Sequence, residues 1–189
     1  MKDAFLPLET ERLVLRGFRH EDLGTFTAYR SDPEVARYQS WDAPYPRERA
    51  AEFLREMRCS IPGLPGEWHQ VAIERKSDGE LLGDCAFCVL AEDSRQAEIG
   101  FTLARAHQGQ GYAAEAVARL LDHLFDDFRL HRVRAICDVE NVPSARLMER
   151  LGLRREACMV GSLHMKGRWS SEYWYAILRR EWARRRLER

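Results

Sequence analysis

Gln108-Gly109-Gln110-Gly111-Tyr112-Ala113 is the stretch whose residue types and spacing can hold an anion. Two glycines one residue apart let the backbone turn sharply and aim several N–H groups at one point, with no Cβ in the way. The amphipathic run that follows, Ala113 to Phe128, adds the unpaired amides and the positive dipole end of a helix N-terminus. The loop holds no Lys or Arg, so a phosphate there is gripped by backbone. A strand-to-helix turn that needs glycine accounts for the same residues, and a lone G-x-G does not separate the two readings. The other spacing with chemical meaning is Cys85-Ala-Phe-Cys88, inside the apolar run Cys85 to Ala91, with no second Cys pair and no His close by. It reads as core cysteines rather than a redox or metal site, and no metal is expected.

The elements that must position the loop follow from periodicity. Ala97 to Leu103 reads as a strand; after the loop Ala114, Val117, Ala118, Leu121, Leu124, Phe125 and Phe128 recur at helical spacing, and Val133 to Val139 reads as a buried strand. Strand, loop, helix, strand makes a βαβ unit, which forces the two strands parallel. Upstream, Arg12 to Arg16 reads as a first strand, a helix follows from His20 until Asp32-Pro33 stops it, and Arg47 to Met57 is an amphipathic helix. Trp68 to Glu74 and Leu81 to Leu90 are strands joined through Asp78-Gly79, and with Ala97 to Leu103 they form an antiparallel meander. Downstream, Pro143 to Leu151 is a short helix closed at Gly152, and Arg154 to Leu163 with Glu172 to Leu178 forms a hairpin around Lys166-Gly167. The Arg-rich tail from Glu181, with Trp182 and Leu187, reads as a solvated helix end rather than a nucleic-acid arm. Tyr38, Trp41, Pro44, Tyr45 and Pro46 make an aromatic connection, either a packed lid or a binding wall, with the wall preferred.

The 189 residues, 45% apolar and 32% charged, suit one globular domain spanning 1–189. The formal charge is zero, but residues 1–100 carry 13 basic and 19 acidic side chains, and residues 101–189 carry 17 and 11. The positive half holds the glycine loop, which suits a polyanionic small ligand such as a nucleotide or coenzyme A; a duplex-binding protein shows a denser basic stripe, and no nucleic-acid partner is expected. Five cysteines, an odd number, in a chain read as having no secretory leader place it in the cytoplasm. The longest apolar run is far short of the roughly 20 residues that span a bilayer, so no membrane partner is expected.

Several motifs then coincide, and the chain resembles the GCN5-related N-acetyltransferase (GNAT) superfamily, in its ribosomal-protein-alanine acetyltransferase-like branch. Gln108 to Ala113 fits that family's Q/R-x-x-G-x-G/A loop, after a strand that runs Ala97-Glu-Ile-Gly-Phe101. Asn141-Val-Pro-Ser144 with Leu151-Gly152-Leu153 looks like its N-x-x-S helix and glycine break. Thr10 to Arg16, Gly167-Arg-Trp169, Tyr175 to Leu178 and Glu181-Trp182 resemble the same branch. The resemblance implies an α/β fold, a mixed, mostly antiparallel sheet with one splayed parallel strand pair flanked by helices. It also implies that acetyl-coenzyme A lies in the splay. Strand residues Phe101, Thr102 and Leu103 would meet the pantetheine arm, and amides from Gln108, Gly109, Gln110, Gly111, Tyr112, Ala113 and Ala114 would take the pyrophosphate. Asn141 would bind pantetheine from the other strand, and Ser144 would approach the sulfur.

Acetyl transfer to nitrogen needs a neutral amine, a polarised thioester carbonyl and a proton for the departing thiolate. A backbone N–H near Phe101 to Leu103 can polarise the carbonyl, and Ser144 can protonate the thiolate unless it serves only to trim its helix. Glu98 ranks first as the base, ahead of Asp84, Asp138, Glu140 and His107, with a paired structural carboxylate as the plain alternative. A lysine acceptor costs about 3 kcal/mol more to deprotonate at neutral pH than an α-amine, so a chain with no obvious strong base suits an α-amine better. Trp41, Tyr45 and Trp68 are the candidate acceptor contacts. Where the branch commonly carries Asp after Gly-Arg-Trp, this chain reads Ser170-Ser171-Glu172, which leaves the acceptor open. The expected partners are an acyl-coenzyme A and an amine, as a monomer or homodimer. Transfer of a larger acyl group such as succinyl, or a coenzyme A sensor without turnover, are the alternatives.

Overall fold

The chain, in a computed structural model that describes residues 7–188, opens with two short strands, β1 (Leu8–Glu9) and β2 (Leu13–Arg16). Three helices follow: α1 (Leu23–Arg30), α2 (Pro33–Ala36) and α3 (Arg47–Cys59). The meander is β3 (Trp68–Arg75), β4 (Leu81–Val89) and β5 (Gln96–Leu103), and it leads through the glycine loop into α4 (Tyr112–Asp126). Then come β6 (Arg132–Asp138), α5 (Val142–Leu151), the long hairpin β7 (Arg154–Met165) and β8 (Arg168–Leu178), and α6 (Arg179–Leu187). The strands form one sheet in the order β1-β2-β3-β4-β5-β6-β8-β7. Neighbours run antiparallel except β5 and β6, which are parallel, as a βαβ crossover requires. The α/β mixed sheet with one parallel pair is the architecture expected from the sequence.

Two cores cover the two faces. On one, Ala116, Val117, Leu120, Leu121, Leu124 and Phe125 of α4 and Leu147, Met148 and Leu151 of α5 pack on Leu15, Val71, Phe87, Ile99 and Val133. On the other, Phe26 and Tyr29 of α1 and Ala50 and Leu54 of α3 pack on Ala72 and Leu81. Period-two alternation in the strands and 3.6-residue spacing in the helices give each element one apolar face, and the sheet buries both of its own.

Asp32-Pro33 does more than end α1. The Asp32 carboxylate accepts the Glu34 N–H at 2.9 Å and Pro33 fills the first turn, so the pair starts α2 as well. The tail is docked, not merely solvated: Trp182 is fully buried and donates Nε1–H to Asp122 at 2.8 Å, and Glu181 accepts the Leu178 N–H at 2.9 Å. Cys85 and Cys88 are buried free thiols on β4. Three residues apart on a strand, they point to opposite faces and cannot share one ion. Among the described residues no helix is long and apolar enough to cross a membrane.

Candidate active site

β5 and β6 pair only from Gln96↔Arg132 to Ile99↔Ala135. Beyond that, β5 continues on β4 to Leu103 and β6 continues on β8 to Asp138, so the two strands diverge while each keeps its outer neighbour. The Ala104 N–H donates to Leu82 O on β4, and alternation therefore turns the backbone groups of Phe101 and Leu103 towards the gap. On the other side the Val139 N–H donates to Ser171 O, which turns those of Ile136 and Asp138 towards it. A cavity of about 940 Å³ fills the fork and is lined by both strand ends.

One end of this cavity is the glycine loop. Gly109 and Gly111 have φ of +75° and +84°, values that L side chains avoid. Chain neighbours aside, no atom of the described residues lies within 4 Å of a Cβ built at Gly109, so the space beside it is open. Gln108 ties the loop to its strand by donating Nε2–H to Leu103 O at 3.0 Å, and Gly111 precedes α4 without any side-chain cap. The first amides of α4 are thus left for a ligand. Outside the loop, Arg12 donates to Gln110 O and pairs with Glu115 at 2.7 Å. Burial alone would raise the Glu115 carboxyl, but hydrogen bonds from Thr10 and Arg12 outweigh it and hold the group below the ordinary range.

At the other strand, the Asn141 side chain caps α5 by accepting the Ser144 N–H at 3.3 Å. The Ser144 side chain meets the Cys137 thiol, which burial first and the neighbouring Asp138 carboxylate second push up to about 11, against the Ser144 hydrogen bond. Opposite them α2 and the segment from Arg37 to Gln39 close the cavity. This wall is pinned from across the molecule. Lys166, at the tip of the β7–β8 hairpin, donates to the carbonyls of Ala36 and Trp41 at 2.7 and 2.6 Å, and the Tyr38 hydroxyl donates to Glu140 O at 3.3 Å.

Of the residues singled out from sequence, Phe101, Thr102, Leu103, Gln108, Gly109, Gly111, Tyr112, Ala113, Ala114, Asn141 and Ser144 converge on this cavity. The Gln110 side chain does not line the cavity, since its Nε2–H donates to Ala106 O. Glu98 is not on the cavity wall: it sits below the fork, paired with Arg134 at 2.8 Å. His107 meets Glu80 at 3.2 Å. Trp41 and Tyr45 also leave the wall. With Phe26 and Phe53 they enclose the buried Arg30 guanidinium, whose carbon lies 4.0 Å from the Trp41 ring centre, and Trp41 donates to Arg30 O. Arg30 in turn lies 3.7 Å from Asp84, which accepts the Tyr29 hydroxyl at 2.5 Å. Burial raises the Asp84 carboxyl, and Arg30 and Tyr29 oppose it. Trp68 is exposed, paired with Cys88 at the end of β4 remote from the loop. Strand rise puts Cys88 about 17 Å from Gly83, which pairs with Leu103. Sequence reasoning missed the Arg30 cage and the α2 wall; the only local signal was Asp32-Pro33 itself.

A forked parallel pair whose backbone turns to the gap on both sides, closed at one end by glycine-turned amides, defines a transferase that takes its group from an acyl-coenzyme A. The profile described as acetyltransferase (GNAT) domain matches residues 12–154, and the chain belongs to that family. It is 35% identical over 176 residues to the N-acetyltransferase p20 of Bacillus licheniformis, covering 93% of this chain and 98% of that one. It superposes on the crystal structure of a GNAT-family acetyltransferase from Bacillus anthracis with a TM-score of 0.84 and 28% identity, over 93% and 100% of the two chains. A spermidine N-acetyltransferase from Vibrio cholerae in complex with CoA and spermine shares the fold, with a TM-score of 0.78 and 23% identity over 92% and 99%. The protein is an acetyl-coenzyme A-dependent acetyltransferase that transfers an acyl group to an amine.

Proposed function

We propose that the protein acetylates a primary amine, a protein N-terminal α-amine or a small molecule, by direct attack within a ternary complex. The observation that carries this reading is the shape of the fork: one cavity reaches the amide cradle at one end and the α2 wall at the other, so two substrates meet between Leu103 and Asp138. Bound acetyl-coenzyme A supplies the thioester. The amides at Gly109 to Ala114 hold its diphosphate, and the backbone of Phe101 and Leu103 orients the pantetheine as an added strand. An N–H of the same strand end is positioned to polarise the carbonyl. Ser144, at the head of α5 beside Cys137, is placed to give a proton to the departing sulfur.

An amine and peptide panel that includes spermidine, incubated with acetyl- or succinyl-coenzyme A and read by mass, tests the reading. A mass gain of one acetyl on an amine supports it. Coenzyme A-dependent stabilisation with no acylated product across the panel defeats it, and succinyl products alone correct the donor.

A further inference from the structure

The acceptor side of the fork carries a side chain that the fold does not satisfy. Along β6, Cys137 faces the core beneath α4 and α5, so alternation sends Asp138 to the opposite face, the side of α2. The Asp138 side chain is 6% exposed and lines the cavity. Its two oxygens differ. Oδ1 accepts the Glu140 N–H at 2.8 Å, whereas Oδ2 is buried with no hydrogen-bond partner among the described residues. The Arg168 guanidinium approaches Oδ2 only to 3.6 Å and spends its Nη1–H on Glu140 at 3.0 Å. Arg168 therefore makes a buried carboxylate tolerable without occupying the oxygen. Orphaned buried acceptors are rare in folded proteins and call for a reason. Two more polar atoms on the neighbouring strand, Ser170 Oγ and Trp174 Nε1, are buried with no hydrogen-bond partner among the described residues. Glu172 pairs with Asp138, and Ser170 and Trp174 stand two residues to either side of it, so their side chains share the face of Asp138.

Resting on the reading of the protein as an amine acetyltransferase, we propose that Asp138 receives the acceptor: Oδ2 accepts an N–H of the attacking amine and holds its lone pair towards the fork. In the transfer the nitrogen lone pair forms the N–C bond and the carbonyl pair moves to oxygen. That pair returns as the C–S bond breaks and the sulfur departs with its electrons. The nitrogen becomes positive while its bond forms, so the N–H···Oδ2 contact turns into a charge-assisted bond during the step. It is stronger in the transition state than in the ground state, which is the condition for raising kcat. The nitrogen then loses its extra proton to water, and the sulfur takes one from Ser144 or water. A hydroxyl acceptor also donates to Oδ2 but its proton must leave earlier, with no cationic stage to reward. The site therefore selects amines over alcohols of similar shape.

The test uses the full chain with acetyl-coenzyme A and three probes, L-alaninamide, a tetrapeptide with N-terminal alanine, and spermidine. In Asp138→Asn, kcat on the probes that wild type acetylates is expected to fall at least tenfold. The Kd for coenzyme A and the KM for acetyl-coenzyme A stay within twofold, and Asp138→Glu recovers part of the rate. A rate within twofold of wild type in Asp138→Asn overturns the assignment. So does a loss that disappears in high salt, because that marks a distant charge effect rather than a contact. Asp138→Ser carries the same expectation if the Asn variant does not fold. A wild type that acetylates none of the probes, nor any other amine, defeats the amine reading itself and this assignment with it; loss confined to the Asp138 variants separates the two.

Discussion

Ile99 and Ala135 are the last residues to pair across the parallel strands β5 and β6, and the sheet divides immediately beyond them. Each strand keeps its antiparallel partner on the outer side, so the fork costs only the few ladder bonds that would have joined Phe101 and Leu103 to Ile136 and Asp138. The Phe101 and Leu103 N–H groups face a cavity instead, while the Leu103 and Asp138 carbonyls accept from Gln108 Nε2–H and the Asn141 N–H. In hydrogen exchange, the amides facing the gap are expected to exchange fast in the free protein and to slow on adding coenzyme A, while those of β4 stay protected throughout. Unchanged exchange at Phe101 and Leu103 with saturating ligand would remove the pantetheine from this strand.

Gly111 is held at φ +84°, and a Cβ there meets the Arg12 guanidinium at 3.4 Å. A substitution acts in two ways. The left-handed conformation costs a side chain about 1–2 kcal/mol of stability, and the added atoms and charge stand against the diphosphate. Gly111→Glu is expected to weaken coenzyme A binding at least tenfold by calorimetry, whereas the melting temperature falls by only a few degrees. Equal affinity in the variant would sink the cradle assignment.

Ser144 and Asn141 are coupled through the cap of α5, which allows their roles to be separated. Asn141→Ala removes the cap and is expected to cost ~1 kcal/mol in denaturant unfolding. Ser144→Ala leaves the capping N–H in place, so its stability stays near wild type while kcat falls by roughly a hundredfold or more if the hydroxyl protonates the sulfur. An unchanged kcat would reduce Ser144 to a structural role. Cys137 beside it, with its thiol pushed up to about 11, is expected to resist iodoacetamide near pH 7.5 while the exposed Cys59 and Cys158 are labelled.

What sequence made legible was local. The glycine pair, the amphipathic α4 and the proline-opened α5 are each fixed by residues within a turn or two of one another, and they place the cradle and the two strand ends. What it hid was decided by register and by burial at a distance. Glu98 looked available because its partner, Arg134, is 36 residues away and becomes its neighbour only through the β5–β6 ladder. Trp41 and Tyr45 looked like a wall because nothing periodic in the sequence ties their rings to a core face; what ties them is Arg30. It is 3% exposed, and its charge is what gathers the rings. Asp138 was one carboxylate among several until the structure left one of its oxygens with no hydrogen-bond partner among the described residues.

His69 gives the fold a pH limit of its own. The residue is 4% exposed, and its ring packs edge-on against Phe87 at 5.6 Å between centres and shares a 2.7 Å hydrogen bond with Ser60. Burial disfavours the imidazolium and pulls the group from 6.5 down to about 4. The folded value lies below the unfolded one, so the unfolded chain binds the proton first. The stability linked to neutral His69 is complete above pH 6.5 and drains as pH falls towards 4, reaching a loss of ~3 kcal/mol. The depressed carboxylates, such as Glu156 at about 2, begin to contribute only below pH 4.5, so they leave the upper part of this window to the histidine. Urea unfolding of wild type and His69→Phe at intervals from pH 7 to 4.5 reads the effect as a difference. The gap between the two is expected to change by about 2–3 kcal/mol across that range, with the variant the flatter of the two. Parallel curves would mean that His69 takes up its proton without leaving its place in the core.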